Sequence, residues 1–448
     1  MQITLFGAAR EVTGSCYHLT NRKTKILVDC GLFQGTTLAH SKNFESLGFK
    51  ASDLDAVIVT HAQLDHTGRL PLLVKNGFRG PVYMTPPTAA LTQLVLEDAA
   101  EIMREEAEMS YTPPLYSQKD LAGLLKLFKP INDRASFRVK DLEITSHNAG
   151  HIFGSAFLGI RDKTSRVVFS GDLGNNNVPI LQPKDPLIQT DTLFIESTYG
   201  NRIHEDEATR SLMLKQAVVD TIKRKGVLLI PAFAIERTQE ILYELNHLVE
   251  NRLIPAVDVF LDSPMAIKAS DIFEDYPKYY NREALRLIAS GDDFFKFPGL
   301  TNTLTRDESK TINQSPRPKV IIAGSGMMNG GRILHHLVRY LSDKKSTLLI
   351  IGYQAQGTLG RKIYSGEKRV SVLSEMVEVK ANVVTIGAYS AHADQRMLLD
   401  WIKTAPEGPK HIYCSHGEEA SAAALATRIR EELRIKADVP RFGEKIDI

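Results

Sequence analysis

The chain is 448 residues long, 43% apolar and 24% charged, with a formal net charge of +2. That length calls for two or more compact units, and the composition is that of a soluble globular chain, which excludes disordered and fibrous classes. No run of about 18 apolar residues offers a membrane span, and the near-neutral charge requires any polyanionic partner to be gripped by a local patch.

The N-terminus, MQITLFGAAREVTG, passes straight into a strand-like alternation without a basic n-region or a long apolar core. A secretory signal is therefore not expected, and the cytoplasm is the expected compartment. QITLFGA, SCYHLT and TKILVDC, and later FRVKDLEITS, suggest hairpin-linked antiparallel strands. Short β-branched runs at 55–60, 166–171, 191–196, 226–231, 319–324 and 346–352 read as buried strands. A helix is expected over 88–108, entered through Pro86 and Pro87. A second, over 234–252, puts Ile235, Thr238, Ile241, Leu242, Leu245 and Leu248 on one stripe. Residues 297–319 form the most polar, proline-marked interval and read as a loop. A C-terminal helix is expected over 418–436. The chain is an α/β protein in this reading, mixed at both ends, with a strand–helix alternating, parallel-sheet insert. Boundaries are expected after 203 and 385. Cys16, Cys30 and Cys414 are scattered, make no CxxC pair, and read as small core residues.

The chemistry gathers where strands end. DAVIVT leads into His61, Gln63, Asp65 and His66; EITS leads to His151; RVVFS leads to Asp172; DTLFI ends in Glu196; VVTIGAYS leads to His392; and HIYCS leads to His416. Five of the 13 histidines fall at these ends. One strand-end histidine is more often a packing residue than a ligand, but an ordered set of six strand ends points to a site, because ligands in open sheets collect at one set of strand ends. Imidazole and carboxylate suit zinc. Two metals bridged by a carboxylate can activate water and stabilise charge developing on a phosphoryl group. Asp172 is placed to bridge, His61 and His151 to feed one metal, Asp65 and His66 the other. Asp29, ending KILVDCG, is either a group behind a ligand histidine that orients its ring or a turn-capping aspartate before Gly31.

The order Asp29, THAQLDHTGRLP, GHIFGSA, SGDLG, ESTYG, AYSAHAD, SHGE resembles the metallo-β-lactamase fold in its β-CASP branch of nucleic-acid-processing nucleases. LLIPAFAIERTQE and AGSGMMNGGR extend the resemblance through the insert. It implies an αββα sandwich built from 1–203 and 386–448, with an inserted β-CASP α/β domain over 204–385. It implies two zinc ions, the first held by His61, the position of Gln63 and His151, the second by Asp65, His66 and His416, with Asp172 shared. Asp65, Glu196 and His392 then carry catalysis, the last two delivering a proton to the leaving oxygen. AGSGMMNGGR is similar to the family's phosphate-gripping segment, which would set Ser325, Gly326, Gly330, Gly331 and Arg332 against RNA, with Arg237 a further basic contact; a plain tight turn is the other reading of that segment. The resemblance implies hydrolysis of single-stranded RNA, and a homodimer.

The sequence departs from the family at Gln63, where the pattern has histidine. A neutral amide is a poor zinc ligand beside imidazole, so a weakened first metal position is expected, with cleavage reduced or lost. Gln63 is a natural variant using one or a different metal, a mark of a chain that kept RNA binding and lost cleavage, or a substitution made to disarm a nuclease. A competent nuclease with one changed ligand is the reading favoured here. An RNA-binding scaffold, and a small-molecule lactam or thioester hydrolase of the same fold, are the alternatives.

Overall fold

The computed structural model describes residues 1–448 apart from 36, 111–112, 177, 205–208 and 353. The chain divides into two compact units. The first comprises Met1–Asn176, Gln182–Ile203 and His392–Ile448, the second Asn177–Leu181 and His204–Ala391. The sequence placed the boundaries after 203 and 385; the compact division falls after 203 and 391.

In the first unit, two seven-stranded mixed sheets lie face to face. One runs in the order 445–447, 2–5, 17–21, 24–28, 56–58, 82–84, 128–130. Its first three pairings are antiparallel and the rest parallel. The other runs 436–438, 411–415, 192–196, 166–169, 156–161, 142–148, 136–139. Here the first three pairings are parallel and the remainder antiparallel. Period-two alternation sorts each strand between two cores. Ile26 and Val28 face the inter-sheet core with Ile3, Leu19, Ile160 and Phe169, while Leu27 faces outward with Val57 against Leu73 and Leu96 from covering helices. On the other side Val168, Leu193 and Ile412 pack on Leu398, Trp401 and Leu425. Each sheet is thus covered by helices on its outer face, giving four layers, αββα.

The second unit holds an all-parallel six-stranded sheet in the order 300–302, 258–262, 319–323, 227–231, 347–350, 382–385. The strand Val227–Pro231 is buried at every position, as a parallel strand covered on both faces requires. This is the fold class read from the sequence.

Two segments differ from expectation. The interval 297–319, read as loop, contains the strand Leu300–Asn302 and the helix Arg306–Thr311. Thr305 and Glu308 form a capping box that starts this helix, a Thr-x-x-Glu signal outweighed in the sequence by the surrounding polarity. The helix expected over 418–436 runs only from Glu419 to Arg428, continues as a π turn to Leu433, and stops where Arg434 turns left-handed. Lys436–Asp438 then joins the second sheet as an edge strand.

Candidate metal centre

All six ligand candidates converge within the first unit, in two groups: His61, His151 and Asp172, and Asp65, His66 and His416. A third group joins Asp172 to Glu196 and His392. The side chains stand on the strand ends or on the segments that follow them. After Thr24–Val28, Asp29 takes a positive φ of 58°. Its carboxylate accepts the Thr60 N–H and hydroxyl, both at 2.8 Å, and lies 2.7 Å from His66 Nδ1. The orienting role for Asp29 is therefore the one the geometry supports, since it fixes the His66 ring by the nitrogen that faces away from Asp172. The backbone just beyond runs so close to the 64–66 turn that a Cβ on Gly31 would lie 1.5 Å from the Asp65 carbonyl oxygen.

Leu64–Thr67 is a single helical turn bearing Asp65 and His66. Gln63 sits at its N-cap in extended conformation and makes no side-chain cap. Its amide oxygen instead lies 3.1 Å from His61 Nε2 and 3.1 Å from His151 Nε2. The chain is re-aimed at His151 by Ser155, whose hydroxyl accepts the N–H groups of His151 and Ile152.

Asp172 stands at the middle. Five imidazole nitrogens approach its carboxylate: those of His66, His416, His61, His151 and His392, at 3.4, 3.5, 3.6, 3.6 and 3.8 Å. It is 1% exposed, and neither oxygen has a hydrogen-bond partner among the described residues. The carboxylate is thus compensated only by the surrounding imidazoles and keeps its lone pairs free of hydrogen bonds, as a group placed to ligate would. Neighbouring donor atoms on a tetrahedral zinc are about 3.4 Å apart, given zinc–ligand distances near 2.1 Å. The spacing around Asp172 matches that edge, and His66 Nε2 lies 3.0 Å from His416 Nε2. Donor type, spacing and the orphaned carboxylate all fit zinc.

Electrostatics separates the groups. Burial, with His66 adding to it, brings the His61 imidazole down to about 4, so it is neutral and ready to ligate. Burial would raise Asp172, but His416 and His66 outweigh it and hold the carboxyl well below its usual range. Burial alone would lower His392, yet Glu196 and Asp172 carry it up to about 9. Glu196 also accepts the Leu173 N–H at 2.7 Å while lying 3.1 Å from His392 Nδ1, so the carboxylate both ties the Asp172 turn and orients His392.

The second unit holds the other candidates, and here the structure corrects the sequence. Arg237 is buried at 4% exposure; its guanidinium is paired with Glu240 and donates to the Tyr389 carbonyl at 2.7 Å, so it presents no cation to a ligand. Arg332 is committed to Asp262 at 2.7 Å and to the carbonyls of Thr303 and Leu304, and the Ser325 hydroxyl accepts the N–H groups of Asn329 and Gly330. Both side chains brace the glycine-rich loop from within. Gly331, at φ 73°, is where the loop closes: a Cβ there would lie 2.3 Å from the Gly324 carbonyl oxygen. Gly326 and Gly330 lie in the same turn.

Sequence reasoning missed Thr60, Ser155, Arg69 and Asp262. Thr60 was legible as the hydroxyl preceding His61. Arg69 donates to the carbonyls of Gly31, Phe6 and Gly14 and lies over the Phe33 ring at 4.5 Å, a role that nothing in its local sequence announces.

A four-layer αββα unit with histidines and aspartates gathered at its strand ends, plus a parallel-sheet α/β unit, defines a class of metallo-hydrolase. The chain matches the metallo-β-lactamase superfamily over 9–222, the Beta-Casp domain over 238–363 and the Zn-dependent metallo-hydrolase RNA specificity domain over 376–440. It is 38% identical over 448 residues to Ribonuclease TTHA0252 of Thermus thermophilus, covering 100% of both chains. It is 34% identical to the transcription termination factor FttA of Methanosarcina mazei, covering 97% of this chain and 70% of that one. A solved structure of a protein of unknown function from Enterococcus faecalis V583 shares the fold at TM-score 0.58 and 13% identity, over 100% of this chain and 99% of that one. The chain belongs to the metallo-β-lactamase superfamily, in the branch that carries β-CASP and RNA specificity domains. It is a member of a zinc-dependent family of RNA-specific metallo-hydrolases. No helix among the described residues is long and apolar enough to cross a membrane.

Proposed function

We propose that this protein hydrolyses phosphodiester bonds of single-stranded RNA at a two-zinc centre whose first position is weakened by Gln63. The observation that carries the reading is Asp172, buried between the His61–His151 pair and the Asp65, His66 and His416 group, with neither carboxylate oxygen hydrogen-bonded among the described residues. His61 and His151 hold the first position with Asp172; Asp65, His66 and His416 hold the second. Zinc, when bound, supplies Lewis-acid polarisation of a phosphoryl oxygen and makes water nucleophilic near neutral pH. The chain's own residues do the rest. Asp29 and Thr60 lock the rings of His66 and His61. Glu196 keeps His392 protonated and aimed, so that it can give a proton to the departing ribose oxygen. The 324–332 loop, opening the helix Ile333–Tyr340 after a parallel strand, offers to a phosphate the backbone N–H groups that its internal bonds leave over, those of Gly326, Met327, Gly331 and Arg332.

Gln63 sets the level of activity. Its amide oxygen sits where it satisfies both ring nitrogens of the first group, an arrangement stable without metal. A chain that binds RNA and cuts slowly, or not at all, is the consequence. The test is cleavage of an end-labelled single-stranded RNA, with zinc supplied, by this chain, by Gln63→His and by Asp172→Asn. Faster cutting by Gln63→His and none by Asp172→Asn supports the proposal. Equal cutting by all three would place the chemistry elsewhere.

A further inference from the structure

Asp262 ends the strand Asp258–Asp262, beside the strand Lys319–Ala323 that feeds the glycine-rich loop. Its carboxylate is fully buried and collects four donors: Thr303 Oγ1 at 2.7 Å, Ser309 Oγ at 2.7 Å, Arg332 Nη1 at 2.7 Å and His336 Nε2 at 2.8 Å. These donors come from three places: the end of the 300–302 strand, the 306–311 helix, and the junction of the loop with the 333–340 helix. A buried charge network of this kind is weak evidence for stability, because well-packed apolar groups do the same work at lower desolvation cost. Its position is informative. It lies at the C-terminal ends of parallel strands, where open sheets gather ligands, and it grips the last residue of the loop.

The loop needs such a grip. Its own closure is local: the Ser325 N–H to the Gly330 carbonyl, the Ile333 N–H to the Gly324 carbonyl, and the Ser325 hydroxyl beneath Asn329 and Gly330. On its other side the loop is held by the segment after the 347–350 strand, with the Gln354 amide donating to the Gly326 carbonyl, the Gly360 N–H to the Met327 carbonyl and the Leu359 N–H to Asn329 Oδ1; none of these bonds ties it to the end of the 258–262 strand. Arg332 does, by bonding Asp262 with one arm and the Thr303 and Leu304 carbonyls with both.

We infer that Asp262 is a positioning residue for RNA: through Arg332 it holds the 324–331 loop in the conformation that receives a backbone phosphate. The inference rests on the proposed reading of that loop as the phosphate grip. It also gives Arg332, expected from the sequence to touch RNA, a different task.

The experiment uses the full chain and a fluorescein-labelled single-stranded RNA, with Kd measured by anisotropy across a salt series. The variants are Asp262→Asn, Arg332→Gln, their combination, and Gly331→Ala as a loop breaker; zinc content reports on the fold of the first unit and thermal melting on the second. Losing one charged brace is expected to weaken binding roughly 10-fold or more. It should also flatten the slope of log Kd against log salt by about 0.7 for each phosphate that the loop no longer grips. A purely structural role would not move that slope. Because Asp262 acts through Arg332, the double variant should lose no more than either single variant. If Asp262→Asn does not fold, Arg332→Gln alone is expected to show the weakening and the flatter slope, and unchanged values there overturn the inference. Additive losses overturn it as well. Wild-type binding by Asp262→Asn, alongside weakened binding by Gly331→Ala, overturns the inference and leaves the reading of the loop intact. Wild-type binding by Gly331→Ala removes that reading itself.

Discussion

Gln63→His should change metal-free and zinc-loaded stability in opposite directions. Without metal, the Gln63 amide oxygen accepts from two buried imidazoles, His61 and His151, each at 3.1 Å. An imidazole in its place provides at most one acceptor nitrogen, and it adds a third ring to a pair already buried. Losing up to two buried hydrogen bonds, each with a net worth of about 0.5–1.5 kcal/mol, makes the metal-free variant less stable by about 1–3 kcal/mol. At about 2–4 °C per kcal/mol for units of this size, Tm falls by roughly 2–12 °C. With zinc the sign reverses. Disturbing even an indirect metal partner costs about 10–100-fold in affinity, so restoring a direct imidazole ligand should tighten the first position by at least about 10-fold. At fixed excess zinc each tenfold adds about 1.4 kcal/mol. The assay is a thermal melt of both chains in chelator and in a zinc titration, with metal content measured in parallel. A variant as stable as its parent in chelator, or equal zinc shifts of both melts, would refute this role for Gln63.

Four further outcomes follow from the same geometry. Asp172→Asn removes the shared carboxylate and should empty both metal positions, read as zinc per chain after dialysis. Asp29→Asn keeps the size but loses the charge behind His66, and should weaken zinc at the second position about 10–100-fold, read by competition with a chromogenic chelator. His392 has a folded pKa of about 9 against 6.5 for a free imidazole. Its proton therefore stabilises the fold fully below pH 6.5, and that contribution disappears as pH rises through 9. Melts of the metal-free chain should lose stability across that window, and Glu196→Gln should flatten the loss. The thiols of Cys16, Cys30 and Cys414 are all buried, and burial pushes Cys414 well up. None should react with a thiol reagent until the chain is unfolded, and labelling at native rates would contradict the core packing.

The fold class and the residues that gather as metal candidates were legible because they are local in sequence. A β-branched run leading within a few residues to a His, Asp or Glu is visible wherever it occurs, and His61, Asp172 and Glu196 each announce themselves that way. Features that depend on distant partners were not legible. Arg332 and Arg237 are basic residues in or beside loops, and they are turned inward by the Asp262 carboxylate 70 residues away and the Tyr389 carbonyl 152 residues away. Arg69 is explained by carbonyls 38, 55 and 63 residues away. The helix at 306–311 was hidden because its capping box stands inside a polar run that also suits a loop. The two readings of Asp29 could not be separated until the His66 ring was seen 2.7 Å from its carboxylate.

The strand at 2–5 is zipped between 17–21 and 445–447, with Ile3 opposite both Leu19 and Ile446. Two of the candidate ligands are likewise separated, His66 from His416 by 350 residues. At about 5–20 residues per second, a ribosome needs about 18–70 s to travel between those two histidines. For that interval a nascent chain carries half a centre and an unclosed sheet. The candidate centre therefore assembles only after synthesis ends, when the distal segment docks and closes the sheet and the site in one step.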